Sequence, residues 1–128
     1  MAGAGPPWQT EPVQPVGVHH VAINVDDVSA SVDFYTGVLG LTLRTDRPEL
    51  GLAGAWLDAG GQQVHLLEAP VPRNLGQHFA LWFDDLDGIV AELRGKGVEV
   101  SDPGGIGAGR QAFLLDPSGN AVELHQRV

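Results

Sequence analysis

The first informative absence in this chain of 128 residues is cysteine, of which it has none. Without thiols the protein can form neither a disulfide framework nor a thiolate metal site, so nitrogen and oxygen atoms would have to hold any metal. Positive charge is also scarce, with 7 Lys and Arg residues against 16 Asp and Glu residues and a net charge of −9. Nucleic acids and anionic membranes attract basic surfaces, so this balance predicts neither as a partner.

Long apolar runs are missing as well. No segment approaches the length of a transmembrane helix, and the N-terminus lacks the charged-then-apolar order of a signal peptide. We therefore expect a cytoplasmic protein. Residues 1–16 are rich in proline and have little periodic apolar content, which predicts a flexible tail in front of a single domain at 17–128.

What the chain does contain is an internal repeat with a period of 58 residues. In this register His20 lies over His78, and His65 lies over Glu123. A repeat of this kind indicates one supersecondary unit used twice, with neither copy able to bury its apolar face alone. The register therefore superimposes four potential metal ligands in two pairs.

Both copies of the repeat have the same predicted order of a strand, a helix and three strands. Module 1 spans about 17–69 and module 2 about 76–128. Alternating apolar residues indicate the strands, and an Asp-Asp pair before each helical stripe supplies an N-cap. The expected architecture is α+β, with two tandem βαβββ modules forming a curled mixed sheet around a metal or ligand cleft. In module 2, residues 98–100 are predicted as a strand and the glycine-rich segment 104–109 as a flexible loop.

The first predicted hairpin decides which side chain accompanies His65. A two-residue turn at 60–61 would place Trp56 beside His65, because directly opposite residues of a hairpin point to the same side. Trp82 has the equivalent orientation in module 2. This orientation favours both indoles as substrate-binding walls of a pocket, with ordinary core residues as the alternative.

The second predicted hairpin turns at 117–120 and is expected to place Leu114 beside Glu123, as a substrate-binding residue. Counting back by twos from Leu114 adds Arg110 to that face, where its guanidinium could bind a substrate carboxylate or phosphate. An exposed arginine at the end of a loop is the alternative. His125 shares the orientation of Glu123, and we predict that it lies at the rim of the site. The alternative is that it supports Glu123 by a contact or transfers a proton.

Three imidazoles and one carboxylate form a complete ligand set for one divalent ion. Such donors suit Zn²⁺, Ni²⁺, Co²⁺ or Fe²⁺, and the ligand types alone do not choose among these ions. A lone strand histidine is usually solvated or hydrogen-bonded, but a structural repeat has no need to superimpose polar side chains. We therefore predict a metal site made of His20, His65, His78 and Glu123.

On these motifs the chain resembles the vicinal oxygen chelate superfamily, also called the glyoxalase/bleomycin-resistance/dioxygenase fold. The similarity covers about residues 17–126 and rests on the segments 20–25, 31–41, 78–81 and 116–124. It implies paired βαβββ modules around a metal site, with ligands from the first and fourth strands of each module. The matching positions in this chain are His20, His65, His78 and Glu123.

The resemblance also implies a reaction. In the glyoxalase-I-like branch a metal chelates two adjacent substrate oxygens, and a ligand carboxylate removes a proton next to a carbonyl to give an enediolate or enolate. Glu123 is the only carboxylate of the predicted ligand set and is therefore the expected catalytic base. A metal-dependent lyase or isomerase acting on a small molecule is the first prediction. His65 departs from the glyoxalase I pattern, which usually has glutamate there.

Two other functions of the superfamily stay open. Bleomycin-resistance relatives lack working metal ligands and sequester a drug in an aromatic crevice. Trp56, Trp82 and the acidic balance of this chain would suit a cationic planar guest of that kind. Extradiol dioxygenases come third, because they use two histidines and one carboxylate, and His65 would occupy a position needed for catechol and O₂.

The resemblance further implies a homodimer, because glyoxalase-like relatives pair their modules across a two-fold axis. The short connector 70–76 permits this arrangement or pairing within one chain. We predict the swapped dimer, since it also covers open sheet edges. Each site would then combine His20 and His65 of one chain with His78 and Glu123 of the other.

Overall fold

The computed structural model describes residue 3 and residues 5–127, which form two successive groups of elements. Module 1 contains β1 (His20–Val25), α1 (Val28–Gly37), β2 (Thr42–Leu43), β3 (Gly54–Ala59) and β4 (Gln62–Glu68). Module 2 contains β5 (Phe79–Phe83), α2 (Leu86–Gly95), β6 (Gly104–Ile106), β7 (Gly109–Leu115) and β8 (Ala121–Gln126). The predicted α+β class with paired βαβββ modules is confirmed.

Each module forms its own four-stranded mixed sheet. The strand orders are β1-β4-β3-β2 in module 1 and β5-β8-β7-β6 in module 2. The first strand of each module pairs in parallel with the fourth, and the remaining pairs are antiparallel. Among the described residues the two sheets are not joined into one, so β1 and β5 both lie at open outer edges.

An aspartate begins each helix, as predicted. Asp27 Oδ1 accepts a hydrogen bond from Ala30 N at 3.0 Å, and Asp85 Oδ1 accepts one from Gly88 N at 3.0 Å. Each N-cap satisfies a backbone donor that the first helical turn leaves unpaired, which typically stabilises a helix by about 1 kcal/mol. Neither helix of the described chain has the length and apolar character needed to cross a membrane.

The core of each module lies between its helix and one face of its sheet. Alternation along the fourth strand of each module puts apolar side chains on the helix side and leaves the opposite face for polar ones. The most buried core residues are Val25, Tyr35, Leu57, Val64, Leu66, Leu86, Val90, Leu93, Ala112, Leu114, Val122 and Leu124. Because the helix side is saturated with these residues, the chemistry must reside on the other face.

The turn between β7 and β8, residues 116–120, fastens module 2 to module 1, and we call it the inter-module turn. Tyr35 Oη in α1 donates to Asp116 Oδ2 at 2.7 Å, and Asn120 Nδ2 donates to the Asn24 carbonyl at 2.8 Å. Burial raises the pKa of Tyr35 far above its usual range, and the Asp116 carboxylate adds to the shift. The phenol therefore stays protonated and acts as a permanent donor across the junction.

Two predictions for module 2 are wrong. Residues 98–100 lie outside the strands, whereas the glycine-rich segment 104–109 forms β6, a tight turn and the start of β7. Ile106 pairs with Gly109, and Gly107 turns the chain with a φ of 53°. Three alternating residues are too short a signal for a strand, and the glycines allow a tight left-handed turn between two strands rather than a flexible loop.

The N-terminal tail carries no helix or strand in its described part. Residues 5–16 are exposed to solvent throughout. This is the pattern expected of a segment outside the fold. Its flexibility stays a prediction.

Candidate metal and substrate site

The predicted ligands lie on the sheet faces that point away from the helices, which we call the ligand faces. In each module the fourth strand runs between the first and the third. His65 on β4 therefore has β1 on one side and β3 on the other, and Glu123 on β8 has β5 and β7. Side chains of one face alternate along each strand, so each module presents one pair of potential ligands.

In module 1 three aromatic rings are stacked in a row. The ring of His65 lies 3.9 Å from that of His20 and 4.6 Å from that of Trp56, with interplanar angles of 12° and 13°. Trp56 is directly opposite His65 in the β3–β4 ladder, so the predicted pairing is confirmed. The two-residue turn at 60–61 fixes this register.

The electrostatic surroundings of His65 favour its neutral form. Burial lowers the pKa of His65, and positive charge on His20 and other neighbours lowers it further. Its Nε2 donates to Gln63 Oε1 at 2.8 Å, which leaves Nδ1 with an unshared lone pair. A neutral imidazole with such a lone pair has the protonation state that a metal ligand requires.

In module 2 a carboxylate lies between two imidazoles. Glu123 is only 8% exposed. Its Oε1 is 3.1 Å from His78 Nε2, and its Oε2 is 2.7 Å from His125 Nδ1. His78 Nδ1 donates to the Gly76 carbonyl at 2.8 Å, and this bond first and Glu123 second raise the pKa of His78. The negative charge of Glu123 is therefore balanced locally by ring N–H groups.

The chemistry of module 2 fits a divalent metal. A metal-bound histidine usually donates its second ring nitrogen to a backbone carbonyl or a carboxylate, which fixes the ring. His78 makes such a bond to Gly76, and the other ring nitrogen, Nε2, lies beside Glu123 Oε1. Replacing the proton on Nε2 by a metal would leave a nitrogen and an oxygen donor side by side.

The two ligand pairs do not meet within one chain. Among residues 3 and 5–127, no three His, Asp or Glu side chains gather closely enough to hold a metal ion. The predicted ligands therefore form two separate pairs, His20 with His65 and His78 with Glu123, and we call each pair a half-site.

Leu114 does not lie on the ligand face, and its predicted pairing with Glu123 is wrong. The β7–β8 ladder pairs Leu114 with Val122 and Phe113 with Glu123. Leu114 is 3% exposed and belongs to the core. The inter-module turn has five residues between paired positions rather than the four expected, and this extra residue shifts β7 by one position.

Arg110, like Leu114, lies on the helix side of the sheet. Its Nη2 donates to Asp87 Oδ1 of α2 at 3.0 Å, and the ion pair raises the pKa of Arg110 while it lowers that of Asp87. The guanidinium is therefore neutralised away from the ligand face. The structure gives it no contact with either half-site, and we withdraw it as a substrate-binding residue.

Trp82 lies on the ligand face of module 2, as predicted, but in an exposed position. It pairs with His125 in the β5–β8 ladder and is 69% exposed. The guanidinium carbon of Arg127 lies 5.1 Å from its ring centre. An indole in this position is not part of the core, so the pocket-wall interpretation is the one that its location supports.

Phe113 is the site residue that the sequence interpretation missed. Its ring lies 5.2 Å from that of His78 at an angle of 79°, and it takes the place opposite Glu123 that Trp56 takes opposite His65. Residues 112–115 are all apolar, so they carry no alternation that could reveal which side faces the site. Only the length of the following turn contained that information.

The comparison with known families agrees with this architecture. The sequence profile of the Glyoxalase/Bleomycin resistance protein/Dioxygenase superfamily matches residues 17–124. The chain belongs to this superfamily. Its profile covers both modules and both half-sites.

Two relatives and one solved structure illustrate the range of the superfamily. The chain is 32% identical over 123 residues to a lactoylglutathione lyase of Arabidopsis thaliana, covering 84% of the chain and 43% of the plant protein. It is 29% identical over 143 residues to the mitochondrial methylmalonyl-CoA epimerase of Bos taurus, covering 97% of the chain and 79% of the epimerase. TnmS3, an antibiotic binding protein from Streptomyces sp. CB03234, matches with a TM-score of 0.74 and 26% identity, covering 91% of the chain and 100% of TnmS3. The chain spans less than half the length of the plant lyase.

Proposed function

We propose that the protein is a metal-dependent lyase or isomerase of the glyoxalase type. Its substrate would be a small molecule with two adjacent oxygens, from which a proton is removed next to a carbonyl. The observation that carries this proposal is the Glu123 carboxylate, buried on the ligand face of module 2 beside a second donor, His78. A sheltered carboxylate at a substrate cleft suits the role of general base.

The proposed ligands of the metal are His20, His65, His78 and Glu123. The ion would be Zn²⁺, Ni²⁺, Co²⁺ or Fe²⁺, and when bound it would supply the Lewis acidity that polarises the substrate oxygens. In this scheme the bond from His78 Nδ1 to the Gly76 carbonyl holds the ring in place. Glu123 accepts the proton of the substrate and returns it at the same or the neighbouring carbon.

We further propose that each complete site is formed by two chains. The open edges of β1 and β5 each adjoin one half-site, so a pairing of β1 with the partner's β5 would join two ligand faces. A groove of about 1060 Å³ between the modules, lined in part by Leu41, Phe79 and Trp82, leaves further apolar surface beside β5 for such a contact. The inter-module turn supports the swap, because it fastens the modules of one chain together while their half-sites stay apart.

The reaction class draws on two relatives. Their names describe a lyase and an epimerase, and both reaction classes are compatible with a single carboxylate base. We propose these two reaction classes as alternatives for this chain, and each can be assayed. Substrates for the first screen are lactoylglutathione and methylmalonyl-CoA.

Metal content is the first test. Tag-free protein analysed by mass spectrometry should contain nearly one equivalent of a divalent metal, and Glu123→Gln should contain much less. With the metal restored, the wild-type protein should exchange the substrate α-hydrogen for deuterium in heavy water. Protein that neither contains nor takes up any of the four ions would overturn the proposal.

Mixing two inactive variants tests the shared site. If sites are shared, a dimer of His20→Ala and Glu123→Ala chains has one intact site and one doubly defective site. An equal mixture should then regain about one quarter of wild-type activity, because half of randomly formed dimers are mixed. Sites formed within one chain would regain none.

Drug sequestration is the second candidate, and the exposure of Trp82 favours it. A 69% exposed indole on the ligand face could stack on a planar cation, and TnmS3 is an antibiotic binding protein. Metal-free protein would then show quenched tryptophan fluorescence with cationic aromatic drugs, and Trp82→Leu would weaken the binding. An extradiol-type dioxygenase is the third candidate, and oxygen consumption with catechols would reveal it.

A further inference from the structure

We infer that His125 is a positioning residue that orients the Glu123 carboxylate, and that Gly109 is the residue that makes room for its ring. The inference rests on the proposed function in one respect, since it takes Glu123 to be the metal ligand and base. It assigns to His125 and Gly109 a joint role that the repeat itself does not predict.

The two oxygens of Glu123 have different partners. Oε1 is 3.1 Å from His78 Nε2, whereas Oε2 is 2.7 Å from His125 Nδ1. A carboxylate held at one oxygen can still rotate about its final side-chain bond. Donation by His125 to the second oxygen removes this freedom and points Oε1 toward His78 and the cleft.

The strand geometry makes this contact available. His125 lies two residues after Glu123 on β8, so both side chains stand on the ligand face. The His125 side chain is 26% exposed, which leaves the ring sheltered but not part of the core. The ring is therefore partly covered while its Nδ1 stays within hydrogen-bond distance of Glu123 Oε2.

Gly109 supplies a second, independent observation. A Cβ atom at this position would lie 2.7 Å from His125 Nε2 and 2.8 Å from the Gln126 carbonyl. Its φ is not in the left-handed region, so the backbone there does not itself require glycine. The need is for space, and part of that space is occupied by the ring of His125.

His125 also lies outside the repeat. In the register that places Glu123 over His65, the position of His125 corresponds to Leu67. A leucine cannot donate a hydrogen bond, and in module 1 the side chain bonded to His65 is instead Gln63, two residues earlier. Support from the position two residues later is found in module 2, which carries the proposed base.

The first experiment measures Co²⁺ affinity by visible absorption for the wild-type protein, His125→Leu and His125→Asn. Leucine copies the counterpart in module 1, while asparagine keeps an N–H donor near the position of Nδ1. Loss of such a supporting partner should weaken Co²⁺ binding by ~10- to 100-fold in His125→Leu, with kcat lowered and KM little changed. His125→Asn should recover most of the affinity. Equal affinities of the wild type and His125→Leu, or equal losses in both variants, would overturn the inference.

Gly109→Ala extends the test to the space around the ring. This variant should weaken Co²⁺ binding more in the wild-type background than in His125→Leu, because only the contact with the Gln126 carbonyl remains when the His125 ring is absent. Similar losses in both backgrounds would mean that alanine acts through β7 and β8 rather than through His125. That result would remove Gly109 from the inference.

A metal-free measurement separates this inference from the proposed function. Nitrogen NMR of the histidine side chains in metal-free protein should show Nδ1 of His125 protonated and its resonance shifted by Glu123→Gln. His19, which does not contact Glu123, serves as the internal control. A wild-type protein that binds no Co²⁺ but shows this shift would defeat the proposed function alone. An unperturbed His125 would defeat the inference alone.

Discussion

The ligand face of module 1 is a column of stacked rings, whereas that of module 2 is centred on a carboxylate. His65 is flanked by His20 and Trp56, while Glu123 receives hydrogen bonds from two imidazoles. Burial and nearby positive charge lower the pKa of His65, but a carbonyl and a carboxylate raise that of His78. The repeat has kept the positions of the donors and changed their surroundings. Two of the proposed nitrogen donors therefore lie in module 1, whereas the third, His78, lies in module 2 beside the proposed base.

The largest effect should come from removing the charge that distinguishes the two faces. Glu123→Gln keeps the shape of the side chain but not its basicity, so kcat/KM should fall by about 10²- to 10⁴-fold. The matched variant His65→Glu places a carboxylate at the equivalent position of module 1. It should retain metal and part of the activity, as measured by mass spectrometry and deuterium exchange. Equal losses of activity in Glu123→Gln and His65→Glu would contradict the proposed difference between the two ligand faces.

The next effect concerns the hydrogen bonds by which the inter-module turn joins the two modules. Tyr35→Phe removes the donor to Asp116 Oδ2 and leaves a buried carboxylate oxygen short of one hydrogen bond. The free energy of unfolding should fall by about 1–3 kcal/mol in urea titrations. A smaller loss would mean that the remaining donors of the inter-module turn satisfy Asp116 by themselves.

The same phenol should make the junction sensitive to alkali. Because the pKa of Tyr35 is raised in the folded protein, its contribution to stability is present below the unfolded value of about 10 and is lost as pH rises above it. Wild-type unfolding free energy should therefore fall between neutral pH and pH ~11 by more than that of Tyr35→Phe. Parallel curves for the two proteins would contradict the prediction.

A smaller effect is expected from the indole that extends the column of module 1. Trp56→Leu loses the stacking on His65 and should lower the free energy of unfolding by about 0.5–1.5 kcal/mol beyond the change in buried area. Trp82→Leu is the control, because Trp82 is exposed and stacks on neither proposed ligand of its module. Thermal unfolding of both variants would reveal whether the column itself contributes to stability.

The smallest effect should follow from breaking the Arg110 ion pair. Arg110→Ala removes an exposed partner of Asp87 on the helix side of module 2. Exposed pairs contribute little to stability, so the melting temperature should change only slightly and kcat/KM should not change. A clear rise in KM would indicate that Arg110 binds substrate, and it would contradict the observed register.

The sequence alone was sufficient to predict strand pairing where a turn allowed only one register. The Gly60-Gly61 turn fixed Trp56 opposite His65, and the alternation of β4 and β8 separated core from ligand face. It was insufficient for Leu114, because the five-residue turn permits a shift of one position and the preceding apolar run hides it. The contact of Arg110 with Asp87 depends on how α2 packs, which no local pattern encodes.

The open edges of β1 and β5 have a consequence for a chain outside the proposed dimer. Neither strand contains proline, lysine or any other charged residue that would discourage pairing with a foreign strand. A newly made or diluted monomer would therefore be prone to aggregation at these edges, which the proposed dimer would cover. Dimerisation would then protect the chain from aggregation as well as assemble the proposed metal site.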